Sequence, residues 1–180
     1  VLREKLYDAD YVKRFTDMPL LVRMDTLKHL RATEVFGGAA AELKNTQLLK
    51  KGEKEPAPHT QDRMIVSEEM RLEWGDNVWW DRVTNSPKAI TRDNVGKNST
   101  IVDPLLEGSV EVTLKDGKKV RCRPVFDLIS EYAAHFDPKT TEELTWAPAA
   151  AVEMLGRLVA KDPGTTLFAI GMGPNQFFNN

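Results

Sequence analysis

Apolar positions along this chain recur at about 3.6 or 2 residues, and each period marks an element. From Leu2 to Phe15 the apolar residues Leu2, Leu6, Tyr11, Val12 and Phe15 stand among charged ones at helical spacing and predict a helix. Thr16-Asp17-Met18-Pro19 ends it, because the residue before a proline is pushed out of the helical region. Leu20-Leu21-Val22-Arg23-Met24 then reads as a short buried strand. After a polar turn at Asp25-Thr26, Leu30 to Phe36 is expected to return as its partner. From Gly37 to about Ser86 no period holds, and Lys50 to Pro58 reads as a solvated loop. Asn77 to Val83, with Trp79 and Trp80, predicts a strand before the turn Thr84-Asn85-Ser86-Pro87.

The clearest local signal is a hairpin over residues 110–122. A two-residue loop at Asp116-Gly117 would oppose Val112 to Arg121 and set apolar against charged side chains on one face. A three-residue loop, Lys115 to Gly117 with Gly117 left-handed, instead pairs Val112 with Val120 and Val110 with Cys122, and is the preferred register. Val125 to His135 repeats at helical spacing. A second helix starts at Pro148, a residue suited to a first turn, with an expected core face of Val152, Leu155, Leu158 and Val159. Asp162-Pro163-Gly164 stops it, and Thr165 to Ile170 is expected as a strand running into Gly171-Met172-Gly173-Pro174-Asn175-Gln176. Helix, turn, strand and glycine loop are half of a dinucleotide-type unit, so the fold class is α/β. Residues 1–36 read as a helix plus strand pair, 37–124 as an irregular insertion carrying the hairpin, and 125–180 as part of the α/β domain.

At 180 residues, 41% of them hydrophobic, the chain is one domain or a little more and can bury a real core. Twenty-five Lys and Arg against 27 Asp and Glu give a net charge of -2, which provides no basic field for nucleic acid. The single cysteine, Cys122, excludes an internal disulfide framework and any cysteine-held zinc or iron-sulfur cluster within this chain. No apolar run approaches the roughly 18 residues that span a bilayer, and the start lacks the order of a signal peptide. With no initiator Met and a final glycine loop that normally delivers the chain into another element, the sequence reads as an internal piece of a longer protein.

Chemistry is suggested at Gly171-x-Gly173, since glycines at the carboxyl end of a strand let the backbone approach a ligand. The third glycine of a Rossmann fingerprint would fall at position 176, which is Gln, and no Gly-Lys-Ser/Thr follows, so an ordinary tight turn stays open as the other reading. Asn175 and Gln176 add amides suited to a heterocycle edge or an oxyanion, or to capping the loop. His29, His59 and His135 lie far apart without ligand spacing, so no metal site is expected from them. Glu142 and Glu143 read as surface helix residues, the tryptophans Trp74, Trp79 and Trp80 as packing, and Cys122 as a small core residue. Asn98-Ser99-Thr100 matches a glycosylation pattern of little weight.

Two stretches at opposite ends resemble one family. Leu6-Tyr7-Asp8-Ala9-Asp10-Tyr11-Val12-Lys13-Arg14-Phe15-Thr16-Asp17-Met18-Pro19-Leu20-Leu21-Val22-Arg23, with Asp25-Thr26 and Leu30-Arg31, is similar to the catalytic subunits of nitrate reductases and nitrite oxidoreductases of the dimethyl sulfoxide reductase superfamily. So is the run Glu142-Glu143-Leu144-Thr145, Pro148, the following helix and Phe168 to Asn175. The resemblance implies molybdenum held by two molybdopterin guanine dinucleotides, with oxygen-atom transfer between water and a small oxyanion. By match, Gly171, Gly173 and Asn175 would line the dinucleotide loop, making residues 125–180 part of a pterin-dinucleotide domain. Gln176 stands where nitrate reductases of this type often carry His, which favours the nitrite-oxidising branch and makes Gln176 the candidate catalytic residue. The molybdenum ligand and the ligands of the 4Fe-4S cluster belong upstream in the parent subunit, so this piece alone is not expected to turn over. An iron-sulfur electron-transfer subunit is the implied partner, and membrane association would come only through other subunits. Chlorate, selenate or a hydrocarbon as substrate, and a non-catalytic scaffold module, are the competing expectations.

Overall fold

The computed structural model describes residues 1–38, 46–49, 64–67, 71, 76–91, 103–162, 164 and 166. Its elements are α1 (Ala9–Phe15), β1 (Leu21–Arg23), α2 (Ala32–Val35), β2 (Thr46–Leu49), β3 (Met64–Ser67), β4 (Asn77–Asp81), β5 (Ser86–Ile90), β6 (Val110–Thr113), β7 (Lys119–Pro124), α3 (Val125–Ala133), a 3-10 turn (Ala134–Phe136), α4 (Pro138–Thr145) and α5 (Ala149–Lys161). They divide into two compact units, residues 8–132 and residues 1–7 with the chain from 133 onward. The fold is mixed α/β with small sheets: a three-stranded antiparallel sheet in the order β1-β7-β6, a parallel pair β2-β3 and an antiparallel pair β4-β5.

In the unit of residues 8–132, α1 begins where Asp8 caps it, its carboxylate accepting the Tyr11 N–H at 2.9 Å. The helix is therefore shorter than the predicted Leu2–Phe15, and it ends at Thr16, as the Met18-Pro19 step requires. β1 occupies the predicted strand and pairs with β7, Leu21 opposite Pro124 and Arg23 opposite Cys122. Its expected partner over Leu30 to Phe36 does not form. His29 makes one isolated bridge to Val22, and Ala32–Val35 then coils into α2. The local cause is Glu34, whose carboxylate accepts the Arg31 N–H at 2.8 Å while its own N–H bonds the Arg31 carbonyl at 3.0 Å. That reciprocal cap favours a helical turn over extension.

The hairpin takes the predicted register, Val112 opposite Val120 and Val110 opposite Cys122. Gly117 sits at φ +85°, and Leu114 and Lys118 close the three-residue loop with a 2.8 Å bond. One face of this sheet supplies Leu21, Val112, Val120 and Cys122 to a core completed by Leu30, Ala32 and Val78. Trp79 is 1% exposed and packs with Ile90 and Leu20, so it serves the interior as expected. β5, unread in the sequence, follows because the turn after Asp81 reverses the chain. Asp81 is buried and its carboxylate accepts the Val83 N–H at 3.1 Å and the Thr84 hydroxyl at 2.9 Å. α3 starts directly from β7, its first amides donating to the carbonyls of Leu20 and Met18 at 3.0 and 2.9 Å. The helix thereby needs no side-chain cap.

In the other unit, Asp137 caps α4 by accepting the Thr140 N–H at 2.8 Å, with Pro138 in the first turn. Trp146 ends α4 in the left-handed region at φ +63°. α5 follows Pro148, and residues 1–7 pack on one side of it. A Cβ on Gly156 would lie 3.6 Å from Val1 Cγ2, Arg157 pairs with Glu4 at 2.9 Å, and Arg3 with Glu153 at 3.0 Å. This contact rotates the packed face away from the expected one: Val152 and Val159 are half-buried, whereas Leu155 and Leu158 are 52% and 55% exposed.

Candidate functional site

The loop read from sequence, Gly171, Gly173, Asn175 and Gln176, lies outside the described residues, as do most of the strand before it, His59, Trp74 and the Asn98-Ser99-Thr100 motif. What the structure describes is the approach to that loop. α5 runs for 13 residues and ends at Lys161 with Asp162 at its C-cap, and Gly164 takes φ +87° just beyond. A left-handed glycine after a helix is the usual means of turning the chain back.

Glu142 has a structural task. Its carboxylate accepts the Ala149 N–H at 3.2 Å, which places a negative charge on the free amides that open α5. Glu143 is exposed on the same helix, as expected of a surface residue. His29 and His135 are both exposed and sit in different elements. Cys122 is fully buried, and burial pushes its thiol up to about 11, so it is neither a nucleophile nor a ligand at neutral pH. No group of three or more His, Cys, Asp or Glu placed to hold a metal occurs among the described residues.

Sequence reasoning missed a cleft in the unit of residues 8–132. It has a volume of about 520 Å³ and is lined by Arg23, Thr26, Lys28, His29, Arg31 and Glu34, with Val22 and Leu27 supplying apolar wall. Its floor is an ion-pair network. Arg23 grips Asp25 through two bonds, Nε to Oδ1 at 3.0 Å and Nη2 to Oδ2 at 2.7 Å, and also binds Glu34. Lys118 reaches Asp25 from the hairpin loop at 3.0 Å. The hydrogen bond to Asp25 raises the Arg23 pKa, and the bonds from Arg23 and Lys118 hold the Asp25 carboxyl well below the usual carboxylate range. Arg31 donates to the Asn77 Oδ1, a neutral acceptor, at 2.7 Å. The cleft offers positive charge and no arranged base or nucleophile. The signal for it was the spacing of Arg23, Asp25 and Glu34, which identifies no pairing until the turn and α2 fold them together.

No family model matches the chain. Comparison with curated proteins does find relatives. The chain is 29% identical over 167 residues, 87% of its length, to perchlorate reductase subunit alpha of Dechloromonas aromatica. It is 27% identical over 194 aligned residues, 85% of its length, to dopamine dehydroxylase of Eggerthella lenta. To respiratory nitrate reductase subunit alpha of Haloferax mediterranei it is 28% identical across 100% of its length, so that alignment takes in both end stretches. The chain spans 16% to 19% of the length of these relatives. It is thus related in sequence to the catalytic subunits of molybdopterin oxidoreductases, the group its two end stretches resemble.

Proposed function

We propose that the chain is a segment of a molybdenum oxidoreductase catalytic subunit that interconverts nitrite and nitrate, with Gln176 favouring the nitrite-oxidising branch. The observation that carries this reading is the similarity to a nitrate reductase alpha subunit along the entire chain, including the run through Gly171, Gly173 and Asn175. In the balanced reaction nitrite gains one oxygen atom from water, and two electrons and two protons leave. A molybdenum-pterin group, when bound, supplies the two-electron redox centre. With the molybdenum ligand expected upstream in the parent subunit, this chain's part is to hold the organic portion of the cofactor. The backbone at Gly171 and Gly173 can approach a pyrophosphate because no side chain intervenes, and the Asn175 amide can bond a heterocycle edge. Gln176 would orient the oxyanion by donating from its amide nitrogen. It cannot relay a proton as a histidine could. An iron-sulfur electron-transfer subunit is the partner this chemistry needs. Among the described residues no helix is long and apolar enough to cross a membrane.

A second reading, reduction of a chlorine oxyanion such as chlorate, is favoured by the perchlorate reductase similarity over 87% of the chain. The test is made on the full-length protein, measuring molybdenum per polypeptide and nitrite-dependent electron release, with and without Gly173→Val. The unmodified protein is expected to hold stoichiometric molybdenum and Gly173→Val to lose it while staying folded. Gln176→His should keep the metal and change turnover. A folded, metal-free native protein overturns the reading, and chlorate turnover without nitrite oxidation selects the second.

A further inference from the structure

The turn that joins β1 to α2 breaks a local rule without burying the side chain concerned. Two bonds close it, Arg23 N–H to the Lys28 carbonyl at 2.9 Å and Leu27 N–H to the Arg23 carbonyl at 2.8 Å. They leave Leu27 at φ +55° with its side chain 71% exposed. A bulky apolar residue rarely takes that angle, which Gly or Asn would fill with less strain. Strain kept at a residue that the fold does not bury is a mark of function.

Leu27 lines the cleft together with Arg23, Lys28 and Arg31, and these three cations share it with a single lining carboxylate, Glu34. Counting Asp25 and Lys118, which join the same network, leaves the balance unchanged at four cations to two carboxylates. The cleft thus carries two surplus positive charges in a chain whose net charge is -2. Its guanidinium groups are already held, Arg23 by Asp25 and Glu34 and Arg31 by Asn77, so little ordering is left for a partner to impose. We propose that this turn, from Arg23 to Arg31, docks an acidic segment of a partner polypeptide, whose carboxylates pair with Lys28 and Arg31 while an apolar side chain beside them covers Leu27. Charge complementarity selects the anionic partner, and Leu27 selects a polypeptide. A small anion between Lys28 and Arg31 would leave the leucine in water. Thr26, Leu27, Lys28 and His29 are all exposed, as the edge of an open docking surface requires. The surface follows from its own geometry; the choice of the iron-sulfur electron-transfer subunit as partner rests on the proposed function.

The test measures the affinity of the full-length catalytic subunit, loaded with molybdenum, for the iron-sulfur subunit by biolayer interferometry. Lys28→Glu should weaken association about tenfold at low salt and less than about twofold at about 0.5 M salt, where charges are screened. Lys139→Glu, an equal change of charge at an exposed position of α4, should shift the affinity less than about twofold; a loss as large as that of Lys28→Glu overturns the proposal. Leu27→Gly decides the matter because it acts in opposite directions. Release of strain should raise the thermal midpoint of the isolated subunit, while the affinity falls about fivefold. A merely structural role cannot give both. A lower midpoint would show that Leu27 packs within its own subunit, and unchanged affinity in either cleft variant would show that no partner sits there; each overturns the proposal. So does tighter binding of inorganic phosphate by the parent than by Lys28→Glu with subunit association unchanged, which assigns the cleft to a small anion. Native protein that lacks molybdenum and does not bind the iron-sulfur subunit overturns both readings, whereas molybdenum-loaded variants with unchanged association overturn the docking alone.

Discussion

Replacing Gly117 isolates the energetic cost of one backbone angle. The residue sits at φ +85° in the three-residue hairpin loop, and a Cβ built there meets nothing within 4 Å. Any loss of stability on substitution therefore comes from the backbone and owes nothing to a clash. The loop's hydrogen bonds are all retained, Gly117 N–H to the Leu114 carbonyl at 2.9 Å and Lys118 N–H to Asp116 Oδ1 at 2.9 Å. A left-handed angle costs an L-residue about 1–2 kcal/mol. Stiffening the unfolded chain returns about 0.4–1 kcal/mol, so Gly117→Ala should lose on the order of 1 kcal/mol. With a urea slope of about 2 kcal/mol/M, the midpoint falls by about 0.5 M. Asn tolerates this angle and Val does not. The expected order of midpoints by tryptophan fluorescence is Gly, Asn, Ala, Val. Gly38→Ala is the control, since that glycine has equally open surroundings and no left-handed angle, and its midpoint should not fall. Ala and Val variants as stable as the parent would refute the assigned turn, and with it the register that places Val112 against Val120.

Cys122, whose thiol burial raises to about 11, favours folding below the ordinary thiol range and ceases to do so as pH climbs from about 9 to about 11; Cys122→Ala should show a shallower alkaline loss of stability in urea titrations. Iodoacetamide at pH 8 should leave folded Cys122 unlabelled and label it once unfolded. Asp25 is displaced the other way by Arg23 and Lys118, so its contribution is present at neutral pH and vanishes as pH falls through about 4 and below. Asp25→Asn should flatten the acid limb without changing stability at low pH, and an unchanged limb would refute the pairing. Trp146→Gly should raise the thermal midpoint by a few degrees, since Trp146 is 89% exposed and held at φ +63°. An unchanged midpoint would mean that the indole has stabilising contacts offsetting the strain.

How much of this was legible depends on how local each cause was. The hairpin register followed from sequence because the alternative set Val112 against Arg121, and a one-residue slip reverses every side chain. The inward Cys122 followed from the same alternation. The Leu30 to Phe36 segment misled because its apolar residues satisfy either period over so short a run, and the deciding bond, from Arg31 to Glu34, is a side-chain event. β5 was missed because its residues, Ser86 to Ile90, include a proline and a lysine. Its pairing depends on β4 lying alongside, Asn77 opposite Ile90 and Asp81 opposite Ser86.

For the candidate site the division is sharper. Gly171, Gly173, Asn175 and Gln176 are candidates by residue type and order, since a glycine's missing side chain and an amide's bonding capacity are intrinsic to the residue. The relationship to molybdopterin oxidoreductases is likewise carried by sequence alone, over 85% to 100% of the chain. Tertiary structure alone decided which side of α5 is packed, because Val1 and Glu4 reach Gly156 and Arg157 across some 150 residues of sequence and no periodicity records such a meeting. It also decided that Arg23, Asp25, Glu34 and Lys118 form one network, since ion pairing requires separations of a few ångströms that only folding of the turn, α2 and the hairpin creates.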